Sequence, residues 1–107
     1  MTNNMFFIAN WKMFGDVKSI NSTKKVIKLS KNKNYRKAQI IYCPPYTLID
    51  KFLRITKNSK VKIGAQNCHH SHSHGPYTGS INTSLLKSIG ARYVIIGHSE
   101  NRILGDT

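Results

Sequence analysis

Apolar residues fall along this chain in two rhythms that alternate. Short unbroken runs come first: Met5-Phe6-Phe7-Ile8-Ala9, Ala38-Gln39-Ile40-Ile41-Tyr42-Cys43, Val61-Lys62-Ile63-Gly64-Ala65 and Tyr93-Val94-Ile95-Ile96. Runs of this length and apolar density predict strands covered on both faces. Between them, apolar residues recur at helical spacing. Asp16 is placed to cap a helix reaching about Ser30, with Val17, Ile20 and Ile27 on one side. Leu48, Ile49, Phe52, Leu53 and Thr56 mark a second helix, started after the Pro44-Pro45 stop. Leu85, Leu86 and Ile89 mark a third, short one that ends at Gly90. Residues 66–79 form a polar loop with a Gly75-Pro76 turn.

A strand-helix alternation of this kind predicts parallel strands joined by right-handed crossovers in one domain. Three polar residues stand just after strands: Asn10 and Lys12 after the first, His98 after the fourth. In α/β folds, sites gather beyond the carboxyl ends of parallel strands. Position alone therefore groups these side chains into one candidate site.

Composition narrows the class. The chain has 107 residues with 17 Lys+Arg against 4 Asp+Glu, a net charge of +13. The lysines are spread from Lys12 to Lys87 and are dense only between Lys24 and Lys37. Lys, Asn and Ile, all with AT-rich codons, number 13, 10 and 13. The excess therefore reads as compositional drift and not as a nucleic-acid surface, for which no motif is present. Cys43 and Cys68 have no metal-type spacing and read as free thiols of a reducing compartment. No basic region precedes the first apolar run, and no run approaches the roughly 18 residues of a membrane span. The expected location is the cytoplasm.

Four ordered stretches then carry a specific likeness: FFIANWKMFG (6–15), YCPPYTLI (42–49), IGAQNCHHSHSHGPYTGSI (63–81) and YVIIGHSENR (93–102). Together they resemble the N-terminal part of the triosephosphate isomerase family. The Asn-x-Lys after one strand and the Gly-His-Ser-Glu after another are weak signals singly and specific in combination. The resemblance implies a partial TIM (β/α)8 barrel: the first four strands, three complete helices and the start of the fourth, as one unit over 1–107. It also implies that the family's general-base glutamate and its phosphate-binding glycine loops, which follow later strands, are not among these residues.

The implied reaction interconverts glyceraldehyde 3-phosphate and dihydroxyacetone phosphate through an enediolate, as in glycolysis and gluconeogenesis. By resemblance, His98 is the electrophile on the carbonyl, Lys12 supplies positive charge to the substrate and the oxyanion, and Asn10 holds the site by amide hydrogen bonds. Glu100, the only glutamate in the chain, pairs with Lys12 from behind. Thr78, in the loop GPYTG, reaches a neighbouring subunit's site in the family. Ser80 and Asn101 stand where the family has an acidic residue and an arginine that bridge the dimer. Losing both partners strands no charge, but it removes a dimer contact.

The stretch Cys68-His69-His70-Ser71-His72-Ser73-His74 raises a metal reading, because His70, His72 and His74 alternate. Its spacing matches no structural zinc site, so no metal and no cofactor are assigned. Half a barrel leaves two open edges and an uncovered inner face, which predicts marginal stability or self-association. The partner expectations are a triose phosphate, together with a complementing chain carrying the later strands or further copies of this one. Three functional readings remain at this point: one piece of a split isomerase, an inactive remnant, or a basic binding module. With no general base, the isolated chain is expected to turn over very slowly.

Overall fold

The computed structural model describes residues 5–71 and 73–104. The side chains of Val17, Ile103 and Leu104 lie outside that description, as do His72 and the last three residues. Four strands, β1 (Met5–Asn10), β2 (Ala38–Cys43), β3 (Lys62–Ala65) and β4 (Tyr93–Val94), form one sheet in the order β1-β2-β3-β4. Every neighbouring pair is parallel, as the alternation predicted. The helices are α1 (Ile20–Ser30), α2 (Tyr46–Ile55) and α3 (Thr83–Ile89). The expected start of a fourth helix is present as a 3₁₀ segment, Ser99–Leu104.

Local chemistry sets the element ends. Asp16 accepts from the Lys18 backbone N–H at 2.9 Å, and Ser19 answers by accepting from the Asp16 N–H at 3.0 Å. That reciprocal cap starts a 3₁₀ turn over Val17–Ser19, and the α-helix proper begins only at Ile20. Ile20 is buried and Ile27 half-buried, on the expected face; the Val17 part of that expectation lies outside the described residues. Gly90 closes α3 in the left-handed region at φ 106°, where a side chain would be strained. Gly64 meets a different demand. A Cβ there would lie 2.9 Å from the Tyr93 carbonyl and 3.0 Å from the Cys43 sulfur, so the close β2–β3–β4 approach needs glycine.

The core lies between the sheet and its helices. Ile49 and Phe52 of α2, Ile63 and Ala65 of β3, Val61 before it and Leu86 of α3 are all buried together. Trp11, just past β1, joins from above, with ring centroids 5.2 Å from Phe52 and 5.7 Å from Tyr42. The half of the sheet that has no neighbour is bare. Met5, Phe6, Phe7 and Ile8 are 53–63% exposed, so β1 shows both of its faces as well as its open edge. At the other edge Ile96 is 69% exposed. These are the open edges and uncovered face that four strands of a closed barrel predict. Among the described residues, no helix is long and apolar enough to cross a membrane.

Candidate active site

The passage after β1 is held in place before any functional side chain is considered. Trp11 N–H donates to the Cys43 carbonyl at 3.1 Å, and the Trp11 ring is clasped by the aromatic cluster. Asn10 then folds its side chain forward, its Oδ1 accepting from the Lys12 N–H at 2.8 Å. Lys12 adopts φ 53°, the left-handed region that non-glycine residues avoid. Gln66, the first residue past β3, donates from its Nε2 to the Lys12 carbonyl at 2.6 Å and locks that conformation. A strained, doubly fastened lysine beside a cleft is a common way to fix a functional charge.

His98 enters from the passage after β4 and is 9% exposed. Its Nδ1 lies 3.5 Å from the Asn10 Nδ2. Its Nε2 is hydrogen-bonded to the Gln66 backbone carbonyl. Glu100, on the first turn of the following 3₁₀ segment, puts Oε1 3.5 Å from the Lys12 Nζ and 3.8 Å from the His98 Nδ1. The second separation is too long for a hydrogen bond and acts through space. Glu100 is held below the usual carboxylate range, first by its own backbone N–H; desolvation opposes this, and the Lys12 ammonium and the Ser99 hydroxyl then add to the lowering. It therefore carries its charge next to Lys12 throughout the neutral range.

These groups line an open cleft of about 550 Å³ at the carboxyl ends of the strands, where Met13, Phe14 and Asn101 complete the wall. Asn10, Lys12, His98 and Glu100, four of the five residues expected from sequence, therefore meet in one place. Thr78 does not. It lies exposed on the loop between β3 and α3, outside the cleft. That loop is tied at its base, where His69 N–H donates to the Ile81 carbonyl at 2.7 Å and Asn82 Nδ2 donates to the Ser73 carbonyl at 3.0 Å. Ser80 is exposed beside Thr78, whereas Asn101 is half-buried in the cleft wall.

Within the histidine-rich stretch, His69 stacks on His70 at 4.3 Å and meets the Tyr77 ring at a tilt, at 4.4 Å. Among the described residues, no group of three or more His, Cys, Asp or Glu is placed to hold a metal ion, and His72 lies outside them. Gln66, which the apolar pattern does not single out, touches both Lys12 and His98. The signal is in its position: Gln66 directly follows β3, just as Asn10 ends β1 and the His98 segment follows β4.

The triosephosphate isomerase family model matches residues 5–107. A triosephosphate isomerase of Wolbachia from Brugia malayi is 42% identical over 93 residues, covering 87% of this chain and 38% of the relative. The Ehrlichia chaffeensis enzyme is 36% identical over 98 residues, covering 92% of this chain and 40% of the relative. The crystal structure of triosephosphate isomerase from Bartonella henselae superposes with a TM-score of 0.80 at 37% identity, over 91% of this chain and 39% of that one. The chain thus spans about two fifths of the length of the relatives it matches. By sequence and by architecture, it belongs to the triosephosphate isomerase family.

Proposed function

We propose that these residues supply the carbonyl-polarising and charge-stabilising part of a triose phosphate isomerase site, and that the proton-abstracting carboxylate and the phosphate loops come from further polypeptide. The observation that supports this reading is the meeting of Asn10, Lys12, His98 and Glu100 in one cleft. Proton transfer between adjacent carbons requires a base at carbon, a donor at the carbonyl oxygen and fixed positive charge for the enediolate. His98 is the donor and Lys12 the charge. Asn10 fixes both, and Glu100 holds the Lys12 ammonium over the cleft. Glu100 is unsuited to be the base, since its carboxylate is turned to Lys12 and kept ionised by its surroundings. The substrate is a triose phosphate, and the reaction belongs to glycolysis and gluconeogenesis in the cytoplasm.

The exposed β1 and β4 edges take the remaining strands of the barrel, whether these are joined to this chain or carried by a separate one. The test is isomerisation of glyceraldehyde 3-phosphate by the 107-residue chain, alone and mixed with the later strands of the Wolbachia relative. Alone, turnover should fall short by at least the roughly 10²–10⁴-fold typical of a missing acid–base group. Mixing should restore activity, and a His98→Ala chain should not support it. Near-normal turnover by the chain alone, or restored turnover indifferent to His98, overturns the proposal.

A further inference from the structure

The fold gathers cations that the sequence scatters. In a parallel sheet with helical crossovers, every helix-to-strand passage lies at the amino ends of the strands, opposite the cleft. The last turn of α1 carries Lys28, and the α1–β2 passage carries Lys31, Lys33, Arg36 and Lys37, all exposed. Lys57 and Lys60 stand in the α2–β3 passage, and Lys87 and Arg92 flank the α3–β4 turn. Nine of the 17 basic residues thus share one end of the molecule. Two of the passages are physically joined, because Lys60 Nζ donates to the Arg36 carbonyl at 3.3 Å. The carboxylates are elsewhere. Asp16 caps the start of the α1 crossover, Glu100 lies in the cleft, and Asp50 is spent on Arg54 at 2.9 Å along α2. Among the described residues, none faces this end.

We propose that this end is a binding surface for single-stranded nucleic acid. Charge draws any polyanion, so the choice rests on what lies between the cations. Tyr35 is 46% exposed between Lys33 and Arg36, in a turn held rigid where Asn32 accepts from the Asn34 N–H at 2.9 Å. An aromatic ring set among basic residues forms a stacking platform for unpaired bases. Asn32, Asn34 and Asn58 add exposed amides that suit phosphate oxygens and base edges, where a bilayer would need a contiguous apolar wedge. The six-residue β1 separates this end from the cleft by about 20 Å, so both can be occupied together.

The experiment is fluorescence anisotropy of a labelled oligouridylate of about 12 nucleotides, titrated with the 107-residue chain at salt from about 50 to about 200 mM. With roughly four phosphates neutralised, the log–log salt slope should be about −3. Lys33→Glu with Arg36→Glu should flatten the slope by about 1.4. Tyr35→Ala should weaken binding at least about fivefold with the slope unchanged, and Tyr35→Phe should keep it. Circular dichroism confirms that each variant keeps the parent's fold, and Lys33→Gln with Arg36→Gln replaces the charge reversal if it does not. Lys24→Glu with Lys25→Glu, on the flank of α1, makes the same change in net charge and should cost little. Three results overturn the proposal: no binding at the lowest salt, equal loss in the Lys24/Lys25 control, or binding to phosphatidylglycerol vesicles without binding to the oligonucleotide.

Discussion

The Nε2 of His98 is hydrogen-bonded to the backbone carbonyl of Gln66. A carbonyl only accepts, so Nε2 carries the proton and Nδ1 is left to accept from the Asn10 amide 3.5 Å away. The one N–H that a neutral ring can offer a substrate carbonyl is therefore occupied by the protein's own backbone. In the proposed reaction, the substrate oxygen would therefore replace the Gln66 carbonyl at Nε2. Nitrogen-15 NMR of the histidine rings at about pH 8 should show His98 in the Nε2–H tautomer. An Nδ1–H ring would contradict this geometry, because Nε2 would then have no proton to share with Gln66.

The backbone of Lys12 stores strain that its side chain does not need. At φ 53° a residue with a Cβ costs roughly 1–2 kcal/mol. Lys12→Gly relieves that cost but loses the exposed pair with Glu100, whereas Lys12→Ala loses the pair and keeps the strain. The glycine variant should therefore be more stable than the alanine variant by about 1 kcal/mol in urea unfolding. Both should be equally dead when combined with the later strands. A glycine variant less stable than the alanine variant would show that the lysine conformation is unstrained.

Much of this arrangement could be read from the sequence because it depends on local chemistry. Apolar runs gave the strands, Gly90 gave the end of α3, and the position of Asn10, Lys12 and His98 after strands gave the cleft. What stayed hidden depends on distant approach. Gln66 looks like any loop glutamine until β1 and β3 bring it under the Lys12 carbonyl. The lysines look scattered until the parallel crossovers stack their passages at one end. Asp16 stands in the sequence as a cap for α1, yet its reciprocal pairing with Ser19 caps a 3₁₀ turn that precedes the helix. Side-chain geometry, and not residue type, decided that difference.

Thr23 sits in α1 with no exposed surface, and its Oγ1 has no hydrogen-bond partner among the described residues. Other hydroxyls here bond back along their own chain: Ser30 to the Ile27 carbonyl at 2.6 Å and Thr56 to the Phe52 carbonyl at 2.8 Å. A buried, orphaned hydroxyl costs roughly 1–3 kcal/mol. Thr23→Val keeps the branched shape and removes the orphan, so the urea midpoint should rise, equivalent to about 1 kcal/mol. A fall would mean that the hydroxyl is satisfied in solution.

Strand β1 offers a second chain an open edge and bare side chains together. Sedimentation velocity should show association of the 107 residues that grows with concentration. A lysine in mid-strand is how natural edge strands block such pairing. Phe7, 53% exposed, is the place to put it. Phe7→Lys should shift the chain towards monomer with its helical signal intact. Undiminished association would move the contact away from β1.

Cys43 and Cys68 should behave as chemically different thiols. Burial pushes the Cys43 thiol up to about 11, against a smaller opposing pull from the Gly64 backbone, while Cys68 is only half-buried. A disulfide reagent at about pH 8 should modify Cys68 in the folded chain and reach Cys43 only on unfolding. The same shift sets a stability trend. Below the ordinary thiol value of 9.0, folded and unfolded chains both hold the Cys43 proton, and the contribution is fully present. Between 9.0 and about 11, the unfolded chain releases it while the folded chain retains it, so stability falls as pH rises. Tyr42 and Tyr46, also raised by burial, push in the same direction. Cys43→Val leaves both tyrosines in place. The alkaline loss of stability should therefore be smaller in Cys43→Val than in the parent, and an identical loss would mean that the thiol titrates alike folded and unfolded.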